Sequence, residues 1–109
     1  MTGRQSRAKG RQGETTARHM LEERDYECED LSAGRASCDI LACSSKGVWF
    51  SVEVKNRDVI PVLDARKQAR QNAKRGTRWM TMCHIAGSRS WLVERQGERP
   101  TVWHERESA

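Results

Sequence analysis

The chain has 109 residues, with 20 Lys and Arg against 15 Asp and Glu, which gives a formal net charge of +5 at neutral pH. This length suits one compact domain with one core and is too short for two. No apolar run approaches the length of a membrane span, and the N-terminus lacks the apolar stretch of a signal peptide, so we expect no membrane segment and a cytoplasmic location. The basic excess favours a polyanionic partner, most often nucleic acid, although charge that serves only solubility would look the same.

The four cysteines are Cys28, Cys38, Cys43 and Cys83. Because none belongs to a C-x-x-C pair and no histidine stands at zinc-finger spacing, the sequence does not predict a structural zinc site. In a cytoplasmic protein these thiols are expected to be reduced and mostly buried.

The N-terminal part of the chain divides into a basic segment and a helix. Residues 1–12 are rich in Gly, Ser, Arg and Lys and are predicted to form a basic flexible arm, either a disordered tail or an arm that follows a phosphate backbone. A helix is predicted over residues 13–24, where Ala17 and Leu21 belong to an apolar stripe at helical spacing. Glu14 heads the same inward face, and it either complements the helix dipole or has a functional role.

Three strands are predicted next, over residues 26–31, 38–44 and 48–55. In the third strand, Val and Phe alternate with Trp, Ser, Glu and Lys, which is the period of a β-strand. Ser45-Lys46-Gly47 should form a three-residue hairpin turn before it, because its glycine suits the left-handed backbone conformation that such a turn needs.

This turn fixes the register of the hairpin. Pairing Ser44 with Val48 places Asp39 opposite Glu53, with both side chains on one face and their Cβ atoms roughly 5 Å apart. The apolar residues of both strands then share the other face. Two opposed carboxylates repel each other unless a cation lies between them, and Mg²⁺, which takes one or two carboxylates plus waters and phosphate oxygens, would relieve that repulsion.

Lys55 follows Glu53 by two residues and therefore lies on the same face of the strand. Taken alone, the pair is either an exposed ion pair on a solvated sheet face or part of a catalytic site. The opposed Asp39 favours the catalytic interpretation.

A second helix is predicted over residues 61–75, because Pro61 suits its first turn and Gly76 follows its end. Leu63, Arg66 and Ala69 repeat at helical spacing and predict a thin buried stripe. Residues 65–78 contain six basic residues and no acid, so the other faces are either simply solvated or contact phosphates, and we prefer the second interpretation. Further strands are predicted over the following ranges: 77–86, 91–93 and 101–103.

Together these features resemble a known family. The motifs are Gly10-Arg11-Gln12-Gly13-Glu14, Asp39-Ile40 and Val52-Glu53-Val54-Lys55-Asn56-Arg57, in the order helix, three strands, helix, strands. They resemble the PD-(D/E)XK nuclease superfamily, and within it the archaeal-type Holliday junction resolvases and related small bacterial proteins with G-x-x-G-E and V-E-V-K-x-R motifs. The similarity covers roughly residues 10–86. Cys38 stands in place of the Pro of the family motif, at a position where many members vary, and residues 91–109 have no counterpart.

The resemblance implies an α/β fold with an αβββαβ restriction-endonuclease-like core, in which helices flank a mixed central sheet, and a single nuclease domain over residues 13–109. It implies that Asp39, Glu53 and the main-chain carbonyl of Val54 hold one or two Mg²⁺ ions, which Mn²⁺ can replace, with Glu14 completing the cluster directly or through water. Lys55 would orient the attacking water or steady the phosphate.

The implied activity is hydrolysis of DNA phosphodiester bonds, structure-selective on branched DNA such as a four-way junction. Two symmetric cuts need two sites and therefore a homodimer. The alternatives are a nuclease of the same type acting on flaps, ends or single strands, and a nucleic-acid-binding module without catalysis. Eight residues are expected to contact nucleic acid: Arg11, Arg35, Ser37, Arg57, Lys67, Gln68, Lys74 and Arg75. Ser32 is the alternative to Ser37 for the loop serine that the resolvases carry before this Asp.

Overall fold

The computed structural model describes residues 3–29, 38–59 and 62–106, with side chains from residue 8 onward. In the described ranges the chain forms two helices and six strands. Their bounds are α1 Gly3–Glu23, β1 Glu27–Glu29, β2 Ile40–Cys43, β3 Trp49–Lys55, α2 Val62–Asn72, β4 Arg78–His84, β5 Ser90–Arg95 and β6 Thr101–His104. Neither of these helices is both long and apolar enough to cross a membrane.

The six strands form one mixed sheet in the order β1-β2-β3-β4-β5-β6. All neighbouring strands are antiparallel except β3 and β4, which are parallel and are connected through α2. A parallel pair needs such a crossover, since the chain must return to the end at which β3 began. The prediction of an α/β fold with a mixed sheet flanked by helices is therefore confirmed at this level.

The face of the sheet against α1 holds the hydrophobic core. Helix α1 contributes Ala17, Met20 and Leu21, whose spacing of three and four residues places them on one stripe. From the sheet, alternate residues of each strand point to this face, including Phe50 and Val52 of β3. Further core residues are Tyr26, Ile40, Ala42, Val54, Met80, Met82, Trp91 and Val93.

The face of the sheet against α2 buries several polar side chains beside Trp79 and Cys83. Its buried side chains include Ser51, Glu53, Thr81 and Glu94, and β3 pairs Glu53 with Thr81 while β5 pairs Glu94 with the same threonine. These groups therefore form a row across three strands.

Helix α2 covers this polar face with two alanines, Ala65 and Ala69. The predicted buried stripe was wrong at Leu63, which is 74% exposed. The small alanines let α2 approach the sheet closely, so that the longer polar side chains of the helix reach the buried polar groups beneath it.

The hairpin register was predicted correctly. Ile40 pairs with Val52 and Ala42 with Phe50, and the paired residues of the ladder end at Ile40, so Asp39 lies immediately beyond them. The Asp39 amide donates to the Val52 carbonyl at 3.0 Å. The connecting turn contains Gly47 at φ 81°, the left-handed conformation for which glycine was expected there.

Helix α1 begins at Gly3, ten residues before the predicted start at residue 13, so the segment predicted as an arm is helical from Gly3 onward. The added turns contact the segment that follows β3. The Asn56 side-chain amide donates to the Lys9 carbonyl at 3.0 Å, and the Lys9 ammonium lies 2.7 Å from an Asp58 carboxylate oxygen. These are tertiary contacts, which local sequence patterns do not reveal.

Helix α2 ends at Asn72, three residues before its predicted end at residue 75. The Lys74 amide donates to Ser51 Oγ at 2.9 Å, and the Thr77 hydroxyl donates to the Lys74 carbonyl at 2.6 Å. Because strand β3 and the turn satisfy these main-chain groups, the chain leaves the helix before Gly76.

Candidate active site

The centre of the candidate site is the pair formed by Asp39 and Glu53. Asp39 lies immediately before β2 and is half-buried, whereas Glu53 lies within β3 and is only 5% exposed. The Val54 amide donates to Asp39 Oδ2 at 2.8 Å, so the end of β3 fixes the Asp39 carboxylate. The two carboxylates predicted from the hairpin register are thus held close together by the main chain.

The protonation of Glu53 reflects this crowding. Burial is the largest cause that raises the pKa of the Glu53 carboxyl, and the charge of Asp39 raises it further. The hydrogen bond from Asn72 and the charge of Lys55 act in the opposite direction without reversing the shift. The positive charge near Glu53 in the folded protein therefore does not fully compensate for the burial of its carboxylate and the negative charge of Asp39.

Glu14 joins the pair from helix α1. Burial, followed by the charges of Asp39 and Glu53, raises the pKa of the Glu14 carboxyl. Glu14 and Asp39 line one side of a cleft of about 270 Å³, which Arg11, Arg18 and Glu29 also line. Helix α1 thus places Glu14 beside Asp39, where the charge of the hairpin carboxylates acts on it.

Gly13 allows α1 to approach the end of β3. A Cβ atom at position 13 would lie 2.7 Å from the Asn56 Cβ, well inside normal contact. Gly10, one helical turn earlier, would meet nothing within 4 Å. The glycine immediately before Glu14 therefore sets the distance between this acid and the β3 strand.

Lys55 lies beside Glu53, as its spacing predicted. Its ammonium is 3.7 Å from Glu53 Oε2, and both side chains are largely buried, so the exposed ion pair considered from the sequence is excluded. The ammonium also donates to Gln68 Oε1 on α2. Gln68, predicted as a nucleic-acid contact, is thus a hydrogen-bond partner of Lys55.

Asn72 was missed from the sequence. Its side-chain amide donates to Glu53 Oε1 at 3.2 Å. Gln68 and Asn72 are four residues apart and so project from one face of α2, which is the signal that could have paired them.

A second pair links α2 to the sheet. The Arg66 guanidinium donates to both Glu94 oxygens, at 2.5 and 2.8 Å, and Glu94 is 6% exposed. A two-bond contact of this kind fixes orientation as well as distance. The Arg66–Glu94 pair anchors the helix that carries Gln68 and Asn72. No local sequence pattern around Glu94 predicts this pair.

The basic residues predicted to contact nucleic acid fall in different places. Arg57 is exposed in a cleft that Lys55 also lines, and Arg11 is exposed beside Glu14. Lys67 is exposed on α2, whereas Lys74 and Arg75 lie beyond its end, in the turn before β4. Arg35 and Ser37, with Ser32, lie outside the described residues.

The donor set of the site suits a hard divalent cation. Within residues 3–29, 38–59 and 62–106, no three His, Cys, Asp or Glu side chains form a group that could hold a metal ion. Two opposed carboxylates remain, Asp39 and Glu53, and one or two carboxylates with water are the usual protein ligands of Mg²⁺. The raised pKa of Glu53 also indicates a carboxyl group that a nearby cation would stabilise in its charged form.

Comparison of the chain with protein-family models, with curated proteins and with solved structures found no match.

Proposed function

We propose that this protein is a Mg²⁺-dependent DNA endonuclease of the PD-(D/E)XK type. The observation that carries the proposal is the set of groups at the end of β3: Asp39 is held beside Glu53 by the Val54 amide, and Lys55 lies on the same strand face in contact with Glu53. The order helix, three strands, helix, strand, with the third and fourth strands parallel, supports the restriction-endonuclease-like core that the motifs imply. The net charge of +5 supports a nucleic-acid partner.

In this proposal Asp39, Glu53 and the carbonyl of Val54 would hold the cation, and Glu14 would add a further carboxylate directly or through water. A bound divalent cation lowers the pKa of water and neutralises charge that builds on a scissile phosphate. Lys55 then directs a positive charge at the phosphate, and its bond to Gln68 fixes the position of the ammonium. Asn72 holds one Glu53 oxygen and leaves the carboxylate with a single orientation.

The substrate class that we propose is branched DNA. The protein would act in the cytoplasm as a homodimer, and each of its two sites would cut one DNA strand. The basis is the resemblance of the G-x-x-G-E and V-E-V-K-x-R motifs to those of the resolvases. Flaps, ends and single strands are the alternative substrates, and a monomeric protein would favour them because it carries one site.

The second candidate function is nucleic-acid binding without hydrolysis. It is favoured by one observation: Glu53 already has two partners in the protein, Lys55 and Asn72, so its charge is partly compensated. Cleavage assays separate the two candidates, since a binding module forms complexes with DNA and leaves it intact.

The test is incubation with Mg²⁺ and labelled four-way junctions, flaps, duplexes and single strands, followed by mapping of the cuts. We expect junction cleavage by the wild type and a loss of at least about 100-fold in Asp39→Asn, because one cation ligand is removed. Asp64→Asn, a matched change at an exposed position of α2, is expected to cleave like the wild type. Full activity in Asp39→Asn would overturn the proposal, and products only from linear ends would replace the substrate class.

A further inference from the structure

Another cleft lies at the other end of the sheet from the candidate site. It has a volume of about 500 Å³ and opens beside the β2–β3 turn, between the C-terminal end of α1 and the first residue of β4. We call it the hairpin cleft. Its lining residues include Arg24, Tyr26, Lys46, Arg78, Arg95 and Trp103. Val48, which lines the hairpin cleft, precedes Lys55 by seven residues. At the usual rise of a strand, these two residues lie about 23 Å apart.

The hairpin cleft carries an excess of positive charge. Four of its lining residues are cationic, and the acid among the lining residues is Glu98. Glu98 is already paired, since Arg95 Nη2 donates to its Oε1 at 2.9 Å. In the described part of the chain, Lys46 and Arg78 have no carboxylate partner, and both are exposed at the rim. These two cations are therefore available to an anion.

The wall of the hairpin cleft is aromatic and fixed. Tyr26 packs against Trp103 with ring centroids 6.3 Å apart, and the Arg24 guanidinium lies 4.5 Å from the centre of the Trp103 ring. Arg95 Nη1 donates to the Tyr26 hydroxyl at 2.8 Å. Arg24 donates to the main-chain carbonyls of Met20 and His104. The wall is held in place by bonds within the protein, so a ligand need not organise it.

We propose that the hairpin cleft binds a nucleotide unit, with its phosphate at Lys46 and Arg78 and its base against the half-buried stack of Arg24 on Trp103, which the buried Tyr26 supports from behind. A cleft of several hundred Å³ is too large for a lone inorganic ion and matches a small organic ligand. Cations at a rim and aromatic rings in a wall are the two features by which proteins hold single nucleotides of a strand. The unit belongs either to a polynucleotide or to a free nucleotide. Nucleotide binding in the hairpin cleft does not depend on the proposed nuclease activity.

The test measures binding of a labelled oligothymidylate to the full-length protein in EDTA, at low and at raised salt, by fluorescence anisotropy. EDTA removes divalent cations, so a failure of the nuclease proposal leaves this result unaffected. For Lys46→Glu/Arg78→Glu we expect affinity at least about tenfold below the wild type. The slope of log affinity against log salt should fall by about 1.4, or about 0.7 for each single-strand phosphate contact.

Arg106→Glu is the control for charge, because Arg106 is exposed beyond the far end of β6 and does not line the hairpin cleft. We expect it to bind within about threefold of the wild type, since it removes only distant electrostatic attraction. If the double variant bound as tightly as Arg106→Glu, the proposal would be wrong. Should the reversed charges prevent folding, Lys46→Gln/Arg78→Gln gives the same comparison at exposed positions.

Competition identifies the source of the nucleotide and tests the role of the wall. Thymidine monophosphate should displace the oligonucleotide at lower concentration than inorganic phosphate if the base contacts the wall, and equal potency would contradict that contact. Displacement of the probe by thymidine monophosphate at the same concentration as by unlabelled oligonucleotide supports a free nucleotide as ligand, and displacement only at a much higher concentration supports a strand. Quenching of tryptophan fluorescence by the ligand should be reduced in Trp103→Phe.

Discussion

The two faces of the sheet bury different kinds of side chain. Against α1, the sheet packs large apolar residues such as Phe50 and Trp91 around Leu21, and burial of this area supplies most of the free energy of folding. Against α2, the sheet buries Glu53 and Glu94 beneath two alanines. Burying a charged group costs free energy unless the group is paired. Apolar burial on the α1 face must therefore supply the free energy that burial of polar groups on the α2 face costs.

The polar face is fully bonded, which is why the fold can hold it. Among the described side chains, no buried nitrogen or oxygen lacks a hydrogen-bond partner. Glu94 is held by Arg66, and Ser51 bonds the Thr77 hydroxyl at 2.8 Å. The apolar core therefore lies on the α1 face, whereas Glu53, Lys55 and their partners lie on the α2 face, and variants at the two faces should differ in their effect on stability.

The largest effect on stability is expected on the α1 face. Leu21→Ala should lower the free energy of unfolding by about 2–5 kcal/mol, because it leaves a cavity at a fully buried position. Leu63→Ala, on α2 and mostly exposed, should change it by less than about 0.5 kcal/mol. Urea unfolding monitored by circular dichroism measures both. An equal loss in the two variants would contradict the assignment of the core to the α1 face.

An intermediate effect is expected where α1 meets β3. Gly13→Ala should cost about 1–3 kcal/mol, because the added methyl group overlaps Asn56 and forces the helix away from the strand. Gly10→Ala should instead be neutral or stabilising by up to about 1 kcal/mol, since alanine favours a helix and meets open space. The same urea assay compares them. Equal stability of the two variants would show that α1 does not pack closely on Asn56.

Gly13→Ala also tests the candidate site. If the displaced helix carries Glu14 away from Asp39, the charge-induced part of the raised pKa of Glu14 should be lost. Titration of this carboxyl by NMR, with Gly10→Ala as reference, measures the change.

The smallest effect concerns the pH dependence of the α2 face. Because the folded-state pKa of Glu53 is raised, its contribution to stability is present below the unfolded pKa and is lost as pH rises through the folded pKa. Glu53→Gln cannot ionise, so in EDTA its stability relative to the wild type should increase between acidic and neutral pH. Thermal unfolding across this range measures the difference, with the exposed Glu27→Gln as control for net charge. A relative loss of stability with rising pH would show that burial and the Asp39 charge do not raise the pKa of Glu53.

The hairpin was predictable because local rules determine it. A three-residue turn ending in Gly47 fixes the register, and the alternation of β3 allows only one assignment of faces, so the opposition of Asp39 and Glu53 followed. The motif spacing likewise placed Lys55 beside Glu53. These parts of the site depend on residues close in sequence.

The remainder depends on contacts between distant residues. The first turns of α1 are stabilised by Asn56 and Asp58, which lie 47 and 49 residues from Lys9. Asn72 acquires its role only when α2 lies on β3. Propensity and periodicity describe single elements, so neither the early start of α1 nor the bond from Asn72 could be read from them.

The proposal that Asp39 and Glu53 bind a divalent cation can be tested directly. Isothermal titration of Mg²⁺ into the wild type, Asp39→Asn and Asp64→Asn tests it without any DNA. We expect binding to the wild type and to Asp64→Asn, together with a cation-dependent rise in thermal stability that reaches about 2.7 kcal/mol at 100 times the dissociation constant. Asp39→Asn should show neither. Equal binding by all three proteins, or binding by none, would show that Asp39 and Glu53 do not form a cation site.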